Sequence, residues 1–372
     1  MPPPALLLDE LVEEILLRIP PDDPARLLRA ALACKRWCRL VSGAGFRRRF
    51  RERYTVAPVL GILRSASLRG LDTTITRFVP TSSFRPRRPD HRGWEAADSR
   101  HGRVLLHYVR RRSLAVWDPV TDQLRQLPNL PRFPYAFRWN AVVLCTAAAG
   151  GSCDHLHCSG GPFLVVLVSI AYRVMYAYVY SSEADAWSAP TVAPHTDLNF
   201  QDLKGGRRGL ARGALAGDTL YFAIQPQDYT RILKCELGTQ ELTVIRPPPM
   251  TNSHIVLVGT EDGGLRAITM EGSKLYLWSM EVVRSGEVVW AQSEIIELKT
   301  LIPVGAVLVS YDVVSFADHS SVIYMGTEDH ECFTADLKSG QVKKVGKVSN
   351  DDDIPFMRFC TPALRVASTD ET

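Results

Sequence analysis

Residues 5–54 read ALLLDELVEEILLRIPPDDPARLLRAALACKRWCRLVSGAGFRRRFRERY, and this stretch decides how the rest of the chain is understood. Leu11, Ile15 and Ile19 recur every four residues, with Leu8 before them and Leu16 alongside, so they share a stripe of one helix. Asp9 is placed to cap that helix, and Glu10, Glu13, Glu14 and Arg18 take its other face, Glu14 with Arg18 as an i,i+4 pair. Pro20-Pro21 ends it, because proline donates no amide hydrogen and restricts the residue before it. Asp23 then caps a second helix with Pro24 at its first position, helical in composition from Ala25 to Val41 and stopped by Ser42-Gly43. About three helices are expected. A unit this small cannot hold a large core, and it keeps apolar residues left over, as a docking module would.

The residues say more than their periodicity. Leu7-Leu8-Asp9-Glu10-Leu11 gives a Leu-x-Asp-x-Leu start, followed by Glu14-Ile15-Leu16, Arg18-Ile19-Pro20, Cys34-Lys35-Arg36-Trp37 and Phe46. In that order they resemble an F-box. Two positions depart from the usual pattern: Leu8 stands for a proline and Ala33 for a valine, and both keep the site apolar. The resemblance implies a helical module that binds a Skp-type adaptor and so joins a cullin-based ubiquitin ligase. Leu8, Leu11, Ile15, Leu16, Ile19, Pro20 and Trp37 are the apolar residues expected to meet that adaptor. Some of them must instead pack the module's own core, and sequence does not sort the two groups.

Charge and cysteine usage set the outer bounds. The net charge is +4, and residues 1–55 hold eleven Lys and Arg against seven Asp and Glu, while the remainder holds thirty-three of each. The excess comes mainly from Arg47, Arg48, Arg49, Arg51 and Arg53. Such a cluster suits an acidic protein, an import receptor or nucleic acid, but a solvated helix face is the plainer reading. A neutral body argues against a nucleic-acid-binding surface. The apolar start is interrupted by Asp9 and Glu10, unlike a signal peptide. The longest apolar run, Phe163 to Tyr172, is about half of what a membrane span needs. Eight scattered cysteines do not form a secreted disulfide framework. No membrane partner and a cytoplasmic or nuclear location are expected.

After the module (1–55) the texture of residues 56–372 turns to strands. Val104–Val109, Val142–Cys145, Val165–Ile170, Met175–Tyr180, Thr219–Ile224, Arg231–Leu237, Ile255–Val258, Lys274–Trp278 and Val322–Met325 are short apolar or alternating runs set off by Gly, Asp, Pro and Ser. A faint repeat runs through them. Segments beginning at Ala115, Ala177, Leu233, Tyr276 and Phe333 each read as strand, polar turn and second short strand, at spacings of roughly 45 to 60 residues, the period of propeller blades. A β-sandwich with irregular insertions is the competing architecture. Strands near Thr55–Leu63 and Pro355–Cys360 sharing one blade would close the ring at six. Arg100–Leu106, Val116-Trp117-Asp118-Pro119, Cys153-Asp154-His155-Leu156 with Cys158, Tyr180-Ser181-Ser182, Leu275–Trp278 and Asp336–Ser339 make this body similar to the F-box-associated propeller-like region of plant F-box proteins, particularly a grass-type group. The fold expected is therefore multidomain: a small all-α F-box followed by an all-β propeller-like domain.

The remaining motifs carry less chemistry than they promise. Cys153, His155, His157 and Cys158 are zinc-ligand types, but four ligands within six residues strain a tetrahedron. A packed loop without metal is expected there, and no cofactor elsewhere. Lys204–Gly209 lacks the phosphate-binding GxxxxGK[ST] arrangement. Nucleophile elbows, zincin helices, dinucleotide fingerprints and kinase motifs are absent. Cys34 and Cys38 sit on an apolar helix face, where thiols are usually inert. The resemblance implies a non-catalytic receptor that holds an unknown protein substrate on the propeller, for which Phe133, Tyr135, Phe137, Arg138 and Trp139 are candidates, with blade packing as their alternative role. A propeller that sequesters a partner without ubiquitination is the second reading, and a propeller enzyme with a ligand in its channel a more distant one.

Overall fold

The computed structural model describes residues 8–54, 57–68, 73–108, 113–130, 138–147, 153, 158–171, 173–195, 212–224, 230–249, 255–260, 262–271, 274–283, 287–297, 308–316, 322–327, 331–336, 342–347 and 353–361. Four helices come first, one more than expected: α1 (Asp9–Leu17), α2 (Pro24–Ala33), α3 (Lys35–Ser42) and α4 (Ala44–Arg53). The single helix expected over Ala25–Val41 is broken at Cys34, whose extended backbone (φ −159°, ψ 160°) lets its Sγ accept the Trp37 amide hydrogen at 3.5 Å. Asp23 caps α2 through the Arg26 amide at 3.2 Å, with Pro24 at the first position. Asp9, by contrast, is the first helical residue of α1; Leu8 occupies the cap position without a side-chain bond.

Among the described residues six antiparallel sheets follow. The first contains β1 (Val59–Leu68), β2 (Thr73–Pro80) and β3 (Asp90–Arg92); the second β4 (Trp94–Arg100), β5 (Arg103–Tyr108), β6 (Ser113–Asp118) and β7 (Gln123–Gln126). The third contains β8 (Arg138–Cys145), β9 (Phe163–Ala171) and β10 (Val174–Ser181), with β11 (Ala186–Trp187) and β12 (Thr191–Pro194) both paired to β10. The fourth is β13 (Ala214–Ala216), β14 (Thr219–Ile224), β15 (Arg231–Glu236) and β16 (Leu242–Ile245), and the fifth β17 (Ile255–Gly259), β18 (Leu265–Glu271), β19 (Lys274–Val282) and β20 (Val288–Glu297). The sixth is β21 (Leu308–Phe316), β22 (Val322–Thr327), β23 (Glu331–Asp336) and β24 (Val342–Lys347). The last strand, β25 (Ile354–Met357), returns to the first sheet and pairs with β1, Ile354 opposite Leu63 and Phe356 opposite Gly61. Both ends of the body thus share one blade, which closes the ring at six.

The core lies between blades rather than inside them. In β8, Val142 and Leu144 join a cluster with Leu215, Phe222 and Leu233 of the fourth sheet, while Ala141 and Val143 join Leu105 and Val116 of the second. The two faces of one strand therefore serve two neighbours, following the period of two along a strand. This is why such strands read as unbroken apolar runs. The same pattern recurs between sheets four and five, five and six, and one and two. The inner strands lie side by side, β25 by β4, β4 by β8, β13 by β17, β17 by β21 and β21 by β25.

The faint repeat has a physical basis. Its five segments begin in the third strand of sheets two to six, and the turn after three of these strands carries a non-glycine residue at positive φ: Asp122 (58°), Asp185 (49°) and Gln240 (58°). Asp122 accepts from Trp117 Nε1 at 3.2 Å and Asp185 from the Tyr180 hydroxyl at 2.7 Å, so the turn residue is bonded to a buried aromatic of the strand before it.

Candidate adaptor interface

Helix α1 has two apolar stripes with different fates. Val12, Leu16 and Leu17 pack with Leu27, Ala31, Val41, Phe46 and Phe50 in the module's core. Leu8, Leu11 and Ile15 lie on the outside, 67%, 51% and 53% exposed. Leu16, at 2% exposed, is therefore a core residue and must be withdrawn from the expected adaptor contacts. It belongs to the cluster formed with Leu27 and Ala31 of α2, Val41 of α3 and Phe46 and Phe50 of α4. Ile19 and Trp37 are half-buried against the same core, and Pro20 is exposed. Two further leucines were missed. Leu28 and Leu32, an i,i+4 pair on α2, are 48% and 73% exposed. A signal existed: Leu27 and Ala31 already supply that helix's buried stripe, leaving Leu28 and Leu32 without a place inside. Arg36 pairs with Asp9, bringing the α2–α3 corner beside the start of α1, so Leu32 and Leu8 stand at the same end of the module.

The basic cluster is largely used within the chain. Arg49 pairs with Glu13 at 3.1 Å and Glu14 at 3.0 Å, Arg53 with Glu14 at 3.7 Å, and Arg48 with Glu52 at 3.7 Å. Glu14 is thus engaged by α4, not by Arg18 as its spacing suggested. These exposed pairs add little stability singly, but they fix α4 along the charged face of α1. Arg51 instead lies over the Phe359 ring at 5.1 Å, and Phe359 meets Phe50 edge-on at 6.2 Å. Ser83 Oγ donates to Asp23 at 2.7 Å and accepts from the Ala25 amide at 3.2 Å, and Lys343 pairs with Asp22. The Ser83 hydroxyl holds the Asp23 carboxyl below the usual carboxylate range. The module is thereby seated on the blade that the chain ends close and, through Lys343, on the sixth blade beside it, with its exposed leucines and Ile15 left uncovered.

On the body, Phe133, Tyr135 and Phe137 lie outside the described residues, as does Lys204–Gly209. Arg138 begins β8, opposite Ile170. Trp139 is half-buried, 4.6 Å from the His107 ring, and packs between sheets two and three, the blade-packing role. Where the inner strands of blades two to four meet, Asp98 accepts the Val143 amide at 3.0 Å and pairs with Arg100 at 3.2 Å and Arg212 at 3.5 Å, while Arg100 also donates to the Gly213 carbonyl. These charges tie three blades together. Near the end of β8, the sulfurs of Cys145, Cys153 and Cys158 lie within 4.8 Å of one another. Hydrogen bonding to Cys158, burial and the charge of the neighbouring thiols push the Cys145 thiol up.

Residues 6–49 match the F-box domain family, and residues 95–364 match the family described as F-box protein AT5G49610-like, beta-propeller. The chain belongs to the AT5G49610-like F-box propeller family. It is a plant-type F-box protein with a propeller domain. No curated protein matches it in sequence. Among solved structures it is similar to a functionally unknown protein from Desulfotomaculum acetoxidans DSM 771, at 12% identity over 81% of this chain and 89% of that one, TM-score 0.40. A putative TolB from Agrobacterium tumefaciens is similar at 10% identity over 72% and 91%, TM-score 0.38. Likenesses this loose do not bear on activity. No helix among the described residues of this F-box propeller protein is long and apolar enough to cross a membrane.

Proposed function

We propose that the chain is the substrate-receptor subunit of an SCF-type cullin ubiquitin ligase, holding a Skp-type adaptor through its F-box and a protein target through its propeller. One observation carries the reading: in the segment that matches the F-box, Leu8, Leu11, Ile15, Leu28 and Leu32 stay exposed although the module already has a core. Large apolar side chains grouped on a small helical unit mark a binding face. The chain does no chemistry in this reading. It raises the local concentration of a target lysine near a separately bound conjugating enzyme. The seating of α4 and Asp23 on the closing blade supports this role, because it fixes the direction from adaptor to target.

The test is binding of the purified chain to a Skp-type adaptor, and through it to a cullin, against a variant with Leu11→Asp and Ile15→Asp. Both positions are exposed, so the variant should fold. Micromolar or tighter binding that the variant loses, with cullin recruited by the natural chain, supports the reading. Adaptor binding without cullin, or no adaptor binding, would leave a propeller that sequesters its partner.

A further inference from the structure

Cys145, Cys153 and Cys158 come from two separate places: the last residue of β8, and the connection that leads from β8 into β9. That answers the geometric objection to a site drawn from the loop alone. Structural zinc sites combine a closely spaced cysteine pair, of the type C-x2–4-C, with ligands from another element. Cys153 and Cys158 have the C-x4-C spacing, and Cys145, 1% exposed at the strand end, is the separate contribution. Thiolates at about 2.3 Å from a tetrahedral zinc stand about 3.8 Å apart, so the observed sulfurs, all within 4.8 Å, need only small movements to enclose the ion. Residues 154–157 lie outside the described residues, and the three thiols carry the site.

The surroundings suit an anionic centre. Arg103 is 3% exposed, and its Nη2 donates to the Cys158 carbonyl and, at 2.6 Å, to that of Gly161. Its guanidinium lies 5.2 Å from the Phe163 ring, and the nearby Asp118 carboxylate that acts on it is shared, being ion-paired with Arg358 at 2.9 Å. A buried cation calls for a nearby negative charge. Three thiolates around a divalent ion leave one net negative charge beside it. The Cys145 amide is also committed, donating to His101 Nδ1 at 3.1 Å, which fixes the strand end against the turn before β5.

We propose that Cys145, Cys153 and Cys158 bind a structural zinc ion that clamps the β8–β9 connection onto the third blade. The metal displaces three thiol protons to solvent, with no change of oxidation state.

The experiment uses the full chain, purified without chelators and dialysed against buffer with nanomolar free zinc. Elemental analysis is expected to find one zinc per chain. Cys153→Ser and Cys158→Ser, chosen because both side chains are half-buried, should each lower that at least tenfold, while Cys235→Ser in the fourth sheet leaves it unchanged. Exchange with cobalt(II) in the natural chain should give the ultraviolet thiolate-to-metal charge-transfer absorption of about three sulfur ligands, a readout independent of any variant's folding. A folded chain without zinc, zinc retained in both serine variants, a cobalt spectrum without sulfur ligation, or a disulfide joining two of the three cysteines would each overturn the site.

Discussion

Alanine at Leu11 and Ile15 should do the opposite of alanine at Leu16, though all three share one helix. Leu16 is 2% exposed, and replacing it removes about three buried carbon groups, about 2.4 kcal/mol in transfer at ~0.8 kcal/mol each. A residual cavity raises the expected loss toward 3–4 kcal/mol. Leu11 and Ile15 are about half exposed, so truncating them costs little in the free protein. On binding, each would bury the exposed half of a side chain whose full burial is worth about 1.5–3 kcal/mol. That is about 1 kcal/mol apiece, or about 30-fold in affinity for the pair. Adaptor affinity by titration calorimetry and urea midpoints by circular dichroism separate the two effects. The double variant should bind about 30-fold more weakly at unchanged midpoint. Leu16→Ala should lower the stability of the module and weaken binding only by the fraction unfolded. Unchanged affinity in the double variant, or loss of affinity in Leu16→Ala at unchanged stability, would refute this division of the helix.

Three further outcomes are expected. Asp98→Ala leaves Arg100 buried without its carboxylate and the Val143 amide without its acceptor, so denaturation should become easier by about 3–5 kcal/mol, whereas Asp98→Asn, which keeps an acceptor oxygen, should lose less; equal losses would refute the charge argument. Gly259→Ala would place a Cβ 1.7 Å from the Leu215 carbonyl oxygen, a backbone atom that cannot swing aside, and should cost at least as much stability as ordinary overpacking, about 1–3 kcal/mol, measured as a lower thermal midpoint; an unchanged midpoint would contradict it. Burial, beside the Trp117 ring at 4.3 Å, holds the His91 imidazole below its usual range, with Arg88 adding to the effect and Asp122 and Asp90 opposing it. The unfolded chain therefore takes up this proton first. The His91 contribution is complete above about pH 6.5 and is lost as pH falls through the lower folded value; His91→Gln should flatten the urea midpoint between pH 5 and 7, and an unchanged slope would contradict it.

The parts of the fold that were legible are those where one physical pattern acts alone. Strands such as β9 with Val165–Ile170 and β14 with Thr219–Ile224 pack against blades on both sides, so they stand out as continuous apolar runs. Inner strand β4, WEAADSR, and outer strand β7, QLRQ, did not. The first carries Asp98 and Arg100, charges buried because they pair between blades, and the second is an exposed edge; neither advertises burial through hydrophobicity. In the module, the apolar periodicity of α1 was clear, but both of its stripes are apolar. Which stripe faces inward depends on α4, and α4 is hidden in AGFRRRFRER, whose arginines outweigh Phe46 and Phe50 in any reading of composition. The cysteine cluster was illegible for a similar reason: Cys145 reads as an ordinary buried strand residue until the loop is folded back on it.

The closing strand connects these observations. β25 completes the first blade, and Phe359, two residues beyond it, is the ring on which Phe50 and Arg51 of α4 rest. Arg64 of β1 pairs with Asp353 just before β25, and Arg358 just after it pairs with Asp118 of the second blade. Ring closure and the seating of the F-box thus draw on the same nine residues, 353–361. If the proposed adaptor binds the module, a load on it would reach the closing strand, where the Arg64–Asp353 and Arg358–Asp118 pairs and the Phe356 packing would oppose it.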